Sequence, residues 1–343
     1  MLALVKCRSI AIRYKYQKAA RAAGVSVPIL IEGLKLKITR LIWSSLLVIV
    51  AASACSAESE SSASRALITS DAEVFAGLFR QYGEELSAEE LQRYYLEPGS
   101  DGIRIFTPYR IIDADNLAKE VSQNRDLYQK AISLCLPVVR SLAEESERIM
   151  QEVADSIGEQ ESAPAYVVFG GNNSGGTASA EGLVIGIETV CNLIDSEEEF
   201  AQSFTYLIAH EMVHVYQSRL VSIEGQPSLL ELTLIEGVAD FIAEKILGRV
   251  DFSATARTEY GLNNEARLWQ EFKTVMDSTE TGDWMYRQQA TDGKPADMAY
   301  WIGKRIAEAY YNNAPNSSVA LRELVGFSDV HEILSKSQYG EKF

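Results

Sequence analysis

Along residues 71–157 apolar side chains recur at helical spacing. Phe75, Leu78 and Phe79 share one face, and Ile132, Leu136, Val139 and Leu142 continue a stripe toward Ile149 with Glu residues outside it. This is the pattern of helices that bury one side. Pro98-Gly99-Ser100-Asp101-Gly102 reads as a loop. Ile103 to Ile112 reads as a short apolar stretch before a further helix, which either Asp113 or Asp115 would cap. The period then shortens. Ala165 to Phe169 and Leu183 to Ile187 predict strands, joined by a loop rich in Gly, Asn and Ser from Gly170 to Gly182.

Helical period returns at Asp195. Ser196 and Glu199 have capping-box spacing, and the acids at 197–199 suit a helix N-terminus. Phe200, Phe204, Leu207 and Ile208 supply the apolar side of that helix. Pro227 and Gly248 bracket a second helix, and Pro295 opens a third that carries Met298, Trp301, Ile302, Ile306 and Tyr310. The pattern predicts a mostly helical α+β fold with a small sheet. Residues 69–343 are expected to make one domain. Within it, 69–160 would be a helical lobe walling one side of a cleft, and 161–343 would hold the candidate chemistry and the C-terminal helices.

The amino terminus breaks this pattern. Residues 1–54 carry nine Lys/Arg and one Glu, and end in a 14-residue apolar run from Leu41 to Ala54. That run is short for a membrane span and has the length of a signal-peptide core. Ala52-Ser53-Ala54-Cys55 resembles a bacterial lipobox, with Cys55 as the lipid attachment site; a plain secretory signal cleaved after Ala54 is the alternative. Residues 55–68, small and polar, read as a flexible tether.

Charge narrows the function classes. From Cys55 onward 23 basic residues face 47 acidic ones, a net charge of −24. A chain this acidic lacks the electrostatic footprint of a nucleic-acid binder. The Gly-rich loop is not followed by Gly-Lys-Ser/Thr, which argues against phosphate binding. Cys135 and Cys191, the cysteines beyond Cys55, either pair as a disulfide or lie as two buried thiols; sequence does not separate the two.

The chemistry concentrates in Ile208-Ala209-His210-Glu211-Met212-Val213-His214. The chain has three histidines, and two of them stand four apart, on one face of a helix. Their spacing allows two imidazoles to hold one Zn²⁺, with Glu211 aimed at a water rather than at the metal. A third ligand is needed. Glu236 is one candidate, and the remaining histidine, His331, is the other. Glu236 and Asp240 are again i, i+4, so Asp240 is placed to accept a hydrogen bond from the far ring nitrogen of a ligand histidine. Two carboxylates on a solvated helix face would be the alternative, but they stand in an apolar segment.

His-Glu-x-x-His followed by Glu-x-x-x-Asp resembles the gluzincin metallopeptidases. That resemblance implies a zincin-like fold, one zinc held by His210, His214 and Glu236, Glu211 as general base, and Asp240 supporting His210. It also implies an edge strand beside the metal helix that pairs with substrate, for which residues 183–188 are the candidate. Glu188 would then either meet a substrate amine or be a partly exposed structural residue. One departure stands out: Ile235 occupies the place where thermolysin, a member of that group, carries an Asn just before the ligand Glu, leaving the support of His214 unassigned.

A closer resemblance, over most of the chain after the signal segment, is to a bacterial family described as predicted zinc-dependent proteases of unassigned function. It runs through Phe169-Gly170-Gly171, Ser174-Gly175-Gly176-Thr177, Ile185-Gly186-Ile187-Glu188, the metal motif, Ala299-Tyr300-Trp301-Ile302-Gly303 and Ser337-Gln338-Tyr339. Tyr300 lies in the downstream motif and is the expected oxyanion donor, a plain core role for it being the alternative and His331 the weaker choice. Together these imply a zinc peptidase exported to the bacterial envelope and anchored only by lipid at Cys55. Its expected partner is a peptide or protein substrate, and its expected place the periplasmic face of the outer membrane. The competing expectation is an envelope lipoprotein that binds zinc and partners without catalysis.

Overall fold

The computed structural model describes residues 66–192, 194–286 and 293–343. The expected signal segment 1–54, Cys55 and the tether as far as Arg65 lie outside the described residues. Leu67–Ile68 (β1) pairs in parallel with Ala165–Val168 (β2), Leu67 opposite Ala165. The tether expected over 55–68 therefore ends earlier, because Leu67 is buried in the core rather than solvated.

Helices fill 70–156 as the periodicity predicts, beginning with α1 (Ser70–Tyr82). Phe75 of α1 stacks on Phe169 at 4.4 Å between ring centroids, so the helical part and the sheet share one core. The loop expected at 98–102 is shorter than read, since Ser100 caps α2 (Asp101–Phe106) by accepting the Gly102 N–H. The expected apolar stretch is also helical, continuing through a wide turn at Thr107–Ile111. Asp113 then caps α3 (Ala114–Gln123), accepting the Asn116 N–H at 2.8 Å. The last helix before β2 is α4 (Ala143–Ser156).

The sheet has the order β1-β2-β4-β3. The Gly-rich stretch read as loop contains a strand, β3 (Gly176–Ser179), antiparallel to β4 (Gly182–Gly186). Residues 183–188 are therefore not the edge strand. They form the interior strand β4, buried along its length, and then enter α5 (Ile187–Asn192). The edge beside the metal helix is β3, whose Gly-Thr-Ala-Ser sequence carries no apolar alternation. Glu188, expected to be partly exposed, is wholly buried on α5.

Cys135 and Cys191 form a disulfide, with Cα atoms 6.1 Å apart, tying α5 to the preceding helices. Beyond the sheet come α6 (Glu197–Leu220), α7 (Leu229–Leu247), α8 (Thr255–Phe272), α9 (Met298–Asn313) and, after a shorter helix at Ser317–Val325, α10 (Val330–Ser337). The backbones of α7 and α9 touch: a Cβ on Gly237 would fall 2.2 Å from the Gly303 carbonyl carbon, so a side chain there would force the helices apart. Among the described residues, no helix is long and apolar enough to cross a membrane.

Candidate metal centre

α6 begins at Ser196, whose hydroxyl accepts the Glu199 N–H at 3.2 Å. The reciprocal half of the expected capping box is displaced by one residue, because Glu199 reaches the Asp195 N–H instead. Farther along, every residue from Ile208 to Gln217 is buried. A helix enclosed on all sides holds its side chains in single rotamers, which is what a metal site needs of its scaffold.

α7 is fixed at both ends. Ser228 and Glu231 form a full capping box, and Gly248 closes the helix at φ 65°. Packed against α6, it brings Glu236 to the two histidines. Glu236 Oε2 lies 3.4 Å from His210 Nε2 and 3.3 Å from His214 Nε2, and the two imidazole nitrogens are 3.1 Å apart. These three buried residues could hold a metal ion, their ligand atoms all lying within 4.8 Å of one another.

The electrostatics favour positive charge at this point. Burial alone would push the His210 imidazole down, but Asp240 and Glu236 raise it to about 10. His214 is likewise lowered by burial and raised further by Glu236, ending above its ordinary value. Burial would raise the Glu236 carboxyl, yet the two imidazoles pull it down to about 2. The carboxylates that hold protons on these rings would equally attract a divalent cation, whose binding must displace those protons. The donor set, two imidazoles and a carboxylate, is that of zinc sites with an open fourth position.

Asp240 sits where the sequence places it, with Oδ1 2.9 Å from His210 Nδ1. Two further buried groups hold it: the Tyr206 hydroxyl donates to Oδ1 at 3.1 Å, and the Arg257 guanidinium lies 3.3 Å from Oδ2. His214 has a different support, missed in the sequence: Gln217 Oε1 is 2.6 Å from His214 Nδ1, and Gln217 Nε2 donates to the Ile235 carbonyl at 2.9 Å. The available signal was its place three residues after His214, on the same helix face.

Glu211 is buried, with its carboxyl against the edge strand. A Cβ on Gly176 would stand 2.8 Å from Glu211 Cδ and 2.9 Å from Oε1, so a side chain there would displace the Glu211 carboxyl. Tyr300, on α9, is also buried, its ring 5.2 Å from the Arg257 guanidinium that reaches Asp240. His331 is not part of this group; it lies exposed at the start of α10, 3.1 Å from Asp277. Glu188 serves the loop before β3, its Oε1 accepting the Asn172 N–H at 3.0 Å.

Comparison with known proteins adds one finding. Residues 154–318 match the model of a family described as "Putative zinc dependent peptidase (DUF5700)", a span that contains β2 to β4 and α5 to α9. No curated protein and no solved structure matches the chain. Over nearly half its length, then, this chain is similar to that family, and the segment concerned is the one that assembles the two histidines and Glu236.

Proposed function

We propose that this protein is a gluzincin-like zinc metallopeptidase with a zincin-like arrangement of sheet and metal helix. The observation that carries the reading is the convergence of His210, His214 and Glu236, with Glu211 held against the edge strand. His210, His214 and Glu236 would hold one zinc per chain, which when bound supplies Lewis acidity toward a carbonyl and a water. Glu211 takes the proton of the attacking water and returns it to the leaving amine. Substrate backbone lies along β3, the strand whose glycine leaves room for Glu211. Tyr300 is our candidate donor to the developing oxyanion.

We further propose an exported lipoprotein anchored through Cys55, with its catalytic domain on the periplasmic face of the outer membrane. The Cys135–Cys191 disulfide supports an oxidising compartment.

The test is metal analysis and peptide hydrolysis by the purified protein. Glu211→Gln should keep about one zinc and lose on the order of 10²–10⁴-fold in turnover. His331→Ala should keep both. Zinc bound without hydrolysis of any unstructured protein or peptide would turn the reading toward the non-catalytic lipoprotein. Failure to bind zinc would remove the metal centre altogether.

A further inference from the structure

The support of His214 goes beyond the ligand set, and it follows from counting donors and acceptors. The Ile235 carbonyl can only accept a hydrogen bond, so the group 2.9 Å from it must be the amide NH₂ of Gln217. That orientation turns the Gln217 amide oxygen toward His214 Nδ1 at 2.6 Å. An amide oxygen also only accepts, so Nδ1 must carry a proton. The lone pair of the neutral ring is then on Nε2, facing Glu236 Oε2 at 3.3 Å. Gln217 is 1 % exposed, and little water competes for these bonds.

We infer that Gln217 is the positioning residue of the metal centre, fixing the tautomer of His214 and tying it to the backbone immediately before Glu236. One side chain thus couples a ligand on α6 to the neighbour of a ligand on α7. This role rests on the zinc reading above.

The choice of an amide follows from the surroundings. At the other histidine, Asp240 lies beside the Tyr206 hydroxyl, the Arg257 guanidinium and the His210 ring. At His214 the supporting group must accept from a ring N–H and donate to a carbonyl. Gln does both, whereas an ionised Glu would set an acceptor against an acceptor.

The experiment uses the full chain, stripped of metal and reloaded. Zinc affinity is read by competition with a chromophoric chelator, ligand geometry by the visible spectrum of the Co²⁺-loaded protein, and folding by the melting temperature without metal. Gln217→Met keeps the volume and loses both hydrogen bonds; its zinc affinity should fall about 10–100-fold, with an altered Co²⁺ spectrum. Gln217→Glu keeps an acceptor for Nδ1 and should fall between wild type and Met, even where the Met variant folds poorly. Unchanged affinity and spectrum in a folded Gln217→Met, or in a folded Gln217→Glu, overturns the inference. A wild-type chain that binds no zinc overturns the zinc reading instead, which separates the two failures.

Discussion

Glu236 and Glu188 are both sealed from solvent, yet their surroundings drive them in opposite directions. Burial pushes each carboxyl up. At Glu236 two imidazoles outweigh burial and bring it to about 2. At Glu188 the opposing groups are backbone N–H donors of Gly170, Asn172 and Glu188 itself with the Thr189 hydroxyl, and it settles at about 7. The lesson is that enclosure alone does not mark a chemical site. A buried carboxylate set against imidazoles stays ionised and available to a cation, whereas one set among amides fastens a loop.

The same isosteric change in both places is the sharpest way to break that comparison. Glu236→Gln should abolish stoichiometric zinc, measured after dialysis against buffer of low metal content, because it removes the charged ligand. Glu188→Gln should leave zinc stoichiometry unchanged and act on stability instead. A raised folded-state value means the folded chain binds that proton more tightly than the unfolded one. The stability Glu188 contributes is therefore complete below its ordinary value near 4.5 and is lost as pH rises through about 7. The difference is on the order of 3 kcal/mol. Denaturant melts at pH 5 and pH 8 should show wild type losing more stability than Glu188→Gln over that interval. Zinc loss from Glu188→Gln, or equal pH slopes, would erase the distinction between the two sites.

A smaller effect is expected between the two regions, at Gly176. The loop held by Glu188 runs into β3, and Gly176→Ala would press a methyl group onto the Glu211 carboxyl. Turnover should fall about tenfold or more with zinc retained, read as kcat against metal content. A variant with normal kcat would show that Glu211 has room to relocate.

The sequence carried the metal helix well because its signals are local. His210, Glu211 and His214 lie within one turn and a residue, and Glu236 and Asp240 within another, so helical spacing alone places them. What escaped it depends on tertiary contact. β3 could not be read from periodicity, since its small residues answer to Glu211 and α6 rather than to a solvent-core alternation. Glu188 read as partly exposed because its enclosing N–H groups come from a loop some sixteen residues away. Gln217 was in view but unremarkable until the Ile235 carbonyl gave its amide an orientation. The pairing of Cys135 with Cys191 needed a distance that no spacing rule supplies.

That disulfide also shapes how the chain reaches its fold. Its cysteines stand 56 positions apart, and the chain between them includes β2, β3 and β4, leaving β1 as the strand that joins from outside. Once the bridge has closed, the sheet's main pairings are sought within a tethered loop, and the entropy of bringing distant strands together is already reduced. The bridge thus encloses the edge strand beside Glu211 but not α6, which lies beyond Cys191. The surface that receives the metal helix and the helix itself fall on opposite sides of that covalent closure.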